Sequence, residues 1–158
     1  AAALKAQLSP QIKAVGVFVN EAPETVAWLL QENIIDLAQL HGQEDAAYIA
    51  RLRRLTDKPI LQAFRVENAA SLAAAAKSPA DFVLLDSGAG GTGTVFNWKL
   101  LKGFPRPYFL AGGLDAGNAA AAIARLHPYA VDVSSGIETD GRKDPAKMAA
   151  FAAAVRNT

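Results

Sequence analysis

No cysteine occurs in the 158-residue sequence, which excludes disulfides, thiolate metal ligands and a thiol nucleophile. Histidine is nearly as scarce: there are two, His41 and His127, so no metal set can be assembled from imidazoles and no metal is expected. No apolar run approaches the roughly 20 residues that span a bilayer, and no signal-peptide pattern is evident. A membrane partner is therefore not expected. Charge of one sign is also lacking, since 16 Lys and Arg stand against 15 Asp and Glu, for a net +1. Acids and bases are mixed along the chain rather than gathered into the basic stripe of a nucleic-acid surface, so no nucleic-acid partner is expected. A chain without thiols suits a reducing cytoplasm, the expected location, although zero cysteines are compatible with any compartment.

What is present is ordinary for a globular protein: 51% hydrophobic and 20% charged residues. The length allows one domain with a substantial core and is short for two. Strand-like runs recur: IKAVGVFV (12–19), NIIDLAQL (33–40), PILQAFRV (59–66), DFVLLD (81–86), PYFLAG (107–112) and YAVDVSS (129–135). Their starts fall 21, 26, 22, 26 and 22 residues apart. Between them lie helical patterns. ETVAWLLQEN sets Val26, Leu29 and Leu30 on one face, and AAYIARLRRL does the same with Ile49, Leu52 and Leu55. Two later helices open at N-cap residues, Asn118 and Asp144, the second followed by proline at the first helical position.

The strand runs are continuously apolar more often than alternating, which suits strands covered on both faces by crossover helices. Strand alternating with helix gives an α/β fold with a parallel sheet. A doubly wound sheet and a (β/α) barrel share this pattern, and six units leave an eight-fold barrel two strands short. The opening AAALKAQLS reads as the end of an amphipathic helix with no strand before it, so the chain is expected to be a single domain over 1–158 that is N-terminally incomplete.

Polar residues and glycines gather where the strands end: Asn20; Gln39 with His41 and Gly42; Arg65; Asp86; Gly112 with Gly113; and Asp132 with Ser134, Ser135 and Gly136. In parallel β/α folds this is the functional rim. Asp86 follows FVLL directly. A carboxyl group half-shielded at such a mouth can act as a general acid, or it can cap the loop through the amides that follow. GAGGTG (88–93) lacks both the GxGxxG spacing of a dinucleotide loop and the GK[ST] of a P-loop. Together with AGGL (111–114) and SSG (134–136), it is a candidate to hold one phosphate through amides and hydroxyls, the alternative being three tight turns. His41 is a candidate base or substrate contact, or else a loop tie. Asp132 is a candidate for ribose hydroxyls or internal pairing. Arg65 could meet a carboxylate or stand in solvent. Arg142 and Lys143, in a GRKDP loop leading to the last helix, are expected to be solvated, and Trp28 and Trp98 to lie in the core.

The segments VGVFVN, QLHG, AFRV, LLDSGAGGTGTVFNW, LAGGL and VDVSSGIE followed by KDP, taken in order, resemble the phosphoribosylanthranilate isomerase family of tryptophan biosynthesis over essentially the whole chain. The resemblance implies a (β/α)8 barrel, of which this chain supplies about six β/α units, strands three to eight. It implies an enzyme without a cofactor that rearranges N-(5′-phosphoribosyl)anthranilate to 1-(2-carboxyphenylamino)-1-deoxyribulose 5-phosphate. It also implies a small phosphorylated substrate, and a monomer or homodimer if the fold is complete, with strand pairing between copies if it is truly truncated. The family's general acid matches Asp86. Its phosphate contacts match Gly91, Thr92 and Gly93, Gly112 and Gly113, and Ser134, Ser135 and Gly136. Asp132 matches a residue near the ribose hydroxyls and His41 one lining the pocket. Two departures stand out: the family's cysteine base, in a CGLTR-like segment, and an arginine facing the anthranilate end have no counterpart here. The family's FDW reads FNW, with Asn97 in the middle. The rival readings are another sugar-phosphate barrel isomerase or synthase, and a non-catalytic fragment that binds phosphate or assembles through exposed strand edges.

Overall fold

A computed structural model describes residues 2–86 and 98–158. Six strands form one sheet in the order of the chain, β1 (Val15–Phe18), β2 (Leu37–Leu40), β3 (Ile60–Arg65), β4 (Phe82–Asp86), β5 (Tyr108–Ala111) and β6 (Ala130–Val131). Each falls inside the run expected from the sequence. The sequential order settles the choice left open above: a doubly wound sheet reverses its strand order at a switch point, and this sheet never does. The fold is α/β of the (β/α)-barrel type. The chain divides into two compact units, Ala1–Ala63 with Lys77–Val83, and Phe64–Ala76 with Leu84–Thr158.

In the first unit β1 and β2 run parallel with Val15 opposite Leu37 and Phe18 opposite Leu40, and Ala38 of β2 lies opposite Ile60. The crossover helices are α2 (Pro23–Gln31) and α3 (Ala46–Arg53). Pro23 starts α2 with its φ already suited to a helix, and Asp45 starts α3 by accepting the Tyr48 amide at 2.8 Å. On α2 the buried positions are 23, 26, 27 and 30, one face at i, i+3, i+4, i+7 spacing. Trp28 lies off that stripe and is 54% exposed, so the expectation that it joins the core fails. Val26, Leu30, Leu40, Ile49, Leu52 and Ile60 are fully or almost fully buried. Each such side chain contributes about 1.5–3 kcal/mol of burial. Asp81 ties the starts of β3 and β4 together, accepting from the Ile60 amide at 2.7 Å and pairing with Arg53. The short helix α1 (Ala2–Lys5) is held by Lys5, whose Nζ donates to Asp36 at 2.9 Å. That ammonium, together with the Ala14 amide, holds the Asp36 carboxyl below its usual range. β1 remains thinly covered, with Val15 46% and Val17 60% exposed.

In the second unit β5 and β6 pair in parallel, Phe109 opposite Ala130. The helices α4 (Ala69–Ala76), α5 (Ala119–Leu126) and α6 (Pro145–Arg156) complete it, with α5 packed against α6. Asp144 caps α6 as expected, accepting from the Ala146 and Lys147 amides at 2.9 and 3.3 Å. The stretch before α6 is not the expected loop. Glu138–Thr139 (β7) and Arg142–Lys143 (β8) form an antiparallel hairpin closed by Asp140 and Gly141, at φ 52° and 73°. Positive φ at both central residues is the turn geometry that matches strand twist, and Asp-Gly is a preferred pair for it. Trp98 is half-buried, with the Arg125 guanidinium 5.9 Å from its ring centre.

Candidate active site

Asp86 is the last residue of β4, directly after the fully buried Val83, Leu84 and Leu85, and is itself half-buried. Its carbonyl accepts the Val66 amide at 2.8 Å, which joins the ends of β3 and β4. The carboxyl group thus stands at the carboxyl end of a strand whose preceding residues cannot move without opening the core. Arg65, at the end of β3, is exposed, with Nε 3.2 Å from Glu67 Oε1. Both side chains are more than 60% exposed, so water screens this pair strongly. Gly91, Thr92 and Gly93 lie outside the described residues.

The loops after β5 and β6 meet. Gly112 and Gly113 follow β5 at φ 95° and 65°, values that side chains rarely tolerate. The Gly113 carbonyl accepts from Asn118 Nδ2 at 2.8 Å, while the Asp115 carboxylate accepts from the amides of Gly117 and Asn118 at 2.7 and 3.0 Å. Gly136 packs so tightly on this loop that a Cβ there would run into the Leu114 carbonyl oxygen. Ser134 and Ser135 beside it are exposed. Asp132 is exposed rather than buried in the apolar run that precedes it, and its amide extends the β5–β6 pairing by donating to Leu110 at 2.8 Å. Gly112, Gly113, Ser134, Ser135 and Gly136 are therefore brought to one rim, with Asp132 on the strand that leads into it.

Lys143 is exposed, as expected, and is also tied to this rim. Its Nζ donates to the Ser134 carbonyl at 3.0 Å, to Ser134 Oγ at 3.2 Å and to Glu138 Oε1 at 2.6 Å. The Asp140–Gly141 pair, the hairpin signal that folds Lys143 back, is visible in the sequence. Thr139 Oγ1 donates to Asp144 Oδ2 at 2.7 Å. This hydroxyl, ahead of the Lys147 and Ala146 amides, holds the Asp144 carboxyl below its usual range.

His41 belongs to the first unit. It follows β2, is exposed, and donates its amide to Phe18 at 2.8 Å. Its Nδ1 lies 3.1 Å from Gln39 Nε2. The residue that organises this loop is one the sequence did not single out. Glu44, only 6% exposed, accepts the Asn20 amide at 2.6 Å and the Gly42 amide at 2.8 Å. Asn20, at φ 56°, returns a bond through Oδ1 to the Gln43 amide at 2.7 Å, and its closeness leaves no room for a Cβ at Gly42.

A pocket of about 400 Å³ lies elsewhere, lined by Leu101, Phe104, Tyr108, His127 and Tyr129 among others. These residues precede β5 and β6, so it opens at the amino ends of the strands, where barrels keep stability rather than chemistry. Among the described residues no three metal-ligating side chains converge, and no helix is long and apolar enough to cross a membrane.

Residues 2–154 match the family model for N-(5′-phosphoribosyl)anthranilate (PRA) isomerase. An N-(5′-phosphoribosyl)anthranilate isomerase from Endomicrobium trichonymphae is 46% identical over 145 residues, covering 89% of this chain and 71% of that protein. Another, from Moorella thermoacetica, is 46% identical over 158 residues, covering 95% of this chain and 69% of its own length. Among solved structures, the phosphoribosylanthranilate isomerase of Thermotoga maritima superposes with a TM-score of 0.87 at 30% identity, covering 99% of this chain and 79% of the solved one. A 3-hexulose-6-phosphate synthase from Salmonella typhimurium superposes at 0.75 with 17% identity, a likeness of fold alone. The chain belongs to the N-(5′-phosphoribosyl)anthranilate isomerase family.

Proposed function

We propose that this chain carries the substrate-binding rim and the general acid of a phosphoribosylanthranilate isomerase, acting in tryptophan biosynthesis in the cytoplasm. The observation that carries the reading is the seating of the 134–136 loop on the Leu114 carbonyl. It makes one rim of the two glycine-bearing loops in the unit that also holds Asp86. The substrate's 5′-phosphate takes the amides and hydroxyls of Gly112, Gly113, Ser134, Ser135 and Gly136, and Asp132 takes ribose hydroxyls.

Asp86 then protonates the ribose ring oxygen. The C1′–O4′ bond breaks, and the anilino nitrogen's lone pair forms a protonated Schiff base at C1′. Removal of the C2′ proton gives an enolamine, which returns a proton at C1′ and leaves a ketone at C2′. C1′ is reduced as C2′ is oxidised, so the redox change is internal and needs no electron acceptor. The base that takes the C2′ proton is the weak point. The resemblance assigns it to a cysteine, and this chain has none.

A second reading is a rim that binds phosphate without turnover. One pair of measurements separates the two. Conversion of N-(5′-phosphoribosyl)anthranilate is followed by loss of its fluorescence, and binding of inorganic phosphate by calorimetry. The isomerase reading expects turnover that Asp86→Asn lowers about 10²–10⁴-fold, the share of one proton-transfer group, with phosphate affinity kept. Near-normal kcat in that variant removes Asp86 from the acid's role. Phosphate binding with no turnover at any protein concentration establishes the second reading.

A further inference from the structure

We propose that Lys143 is a positioning residue for the phosphate end of the site, fixing Ser134 and the peptide after it as hydrogen-bond donors toward the anion. This rests on the reading of the 134–136 loop as a phosphate contact and deepens it.

An ammonium group has three donors and no acceptor. Here the Ser134 carbonyl, Ser134 Oγ and Glu138 Oε1 take all three, at 3.0, 3.2 and 2.6 Å. The consequences for Ser134 follow from elementary geometry. A hydroxyl has one hydrogen, and when its oxygen accepts from Lys143 that hydrogen is left to be donated elsewhere. A trans peptide sets N–H antiparallel to C=O. Turning the Ser134 carbonyl to Lys143 therefore turns the Ser135 amide to the opposite side. Two donors are prepared by one cation, and phosphate oxygens accept donors only.

The hairpin holds the lysine to this task. Glu138 and Lys143 are directly opposite in the β7–β8 register, a favourable cross-strand charge pair. The same Glu138 carboxylate offsets the ammonium charge. With the Lys143 side chain 50% exposed, its long-range field is further screened. The role is orientation rather than bulk attraction, which makes it separable from a general charge effect.

The test measures inorganic phosphate affinity by calorimetry at fixed ionic strength for the wild type, Lys143→Met, Ser134→Ala, the double variant and Lys143→Arg. We expect Lys143→Met to weaken phosphate about 5–10-fold, the scale of one ordinary hydrogen bond, and Ser134→Ala to do the same. The double variant should be no worse than either single one by more than about twofold, because both remove one coupled unit. Lys143→Arg should restore part of the loss. Where turnover is measured, Lys143→Met should raise KM with little change in kcat. Lys143→Gln supplies a second variant should the methionine variant melt early. Wild-type affinity in both Lys143→Met and Lys143→Gln, with Ser134→Ala weakened, overturns the role of Lys143 while the loop reading stands. Additive losses in the double variant also overturn it. If neither Ser134→Ala nor Gly136→Ala changes phosphate affinity, the phosphate reading falls and takes this proposal with it.

Discussion

The loop after β2 and the loops after β5 and β6 stand at corresponding ends of their strands, yet different kinds of side chain hold them. In the first unit acceptors do the holding: Glu44 takes the amides of Asn20 and Gly42, and Asn20 Oδ1 takes that of Gln43. In the 134–136 loop a donor does it, Lys143 donating to the Ser134 carbonyl. The loop after β5 uses both kinds: Asn118 Nδ2 donates to the Gly113 carbonyl, and the Asp115 carboxylate takes the amides of Gly117 and Asn118. A loop whose amides already serve its own carboxylate has little to offer an external anion. A loop held by its carbonyls can turn its amides outward. The glycine content of the two regions would not reveal this, because Gly42 and Gly136 are both present for want of room. The difference lies in which backbone groups the holding side chains occupy, amides at Glu44 and a carbonyl at Lys143.

The comparison is broken most forcefully at Glu44. Replacing it with alanine removes the charged acceptor of the Asn20 and Gly42 amides, and a hydrogen bond to a charged group contributes about 1.5–3 kcal/mol. Glu44→Ala should therefore lower unfolding stability in urea by about 2–4 kcal/mol while leaving the phosphate affinity of the second unit within twofold of wild type. A variant that loses phosphate binding with its folded state intact would mean that Glu44 itself contributes to phosphate binding. Gly136→Ala probes the other side. Its methyl group meets a backbone oxygen that cannot swing away as a side-chain tip could. Forcing extra carbon into such packing costs about 1–3 kcal/mol. Here phosphate affinity should fall by more than tenfold, measured by calorimetry well below the melting temperature. Unchanged affinity would sink the two-loop rim.

How much of this could be read beforehand differs between the same two regions. Every strand of the six-stranded sheet lay inside its apolar run, and Asp144 announced its helix through the proline that follows it. These are local signals, carried by neighbours in sequence. The rim positions were legible too, because strand ends follow from strand positions, and so Asp86, Gly112 and Gly136 could be named without coordinates. What was not legible depends on pairs far apart in the chain or on which face a residue takes. Glu44 gives no sequence signal of being the anchor for Asn20, 24 residues away. Trp28 fitted a core expectation by composition and failed it by one step around the helix. The hairpin that carries Lys143 is the instructive miss. It was written in Asp140–Gly141, but a charged stretch before a helix invites the reading of a solvated loop. The cysteine's absence was plain throughout.

The smallest expected effect concerns the hairpin that carries Lys143. Thr139 and the first amides of α6 hold the Asp144 carboxyl below its ordinary range. A carboxyl group lowered on folding adds stability that is present above its unfolded value and is lost as pH falls through the lower folded one. Asp144→Asn keeps a good helix cap, since asparagine serves that position about as well, but removes the charge. The wild type should therefore melt slightly above Asp144→Asn at neutral pH, and the gap should close as pH drops below about 4. No comparable closing is expected for Ser134→Ala, whose side chain meets the Lys143 ammonium, a group that stays charged throughout the acid range. A gap that persists to pH 2.5 would mean that Asp144 steadies α6 and the hairpin through shape alone. The donor-held rim would then owe its acid-side stability to some other carboxylate.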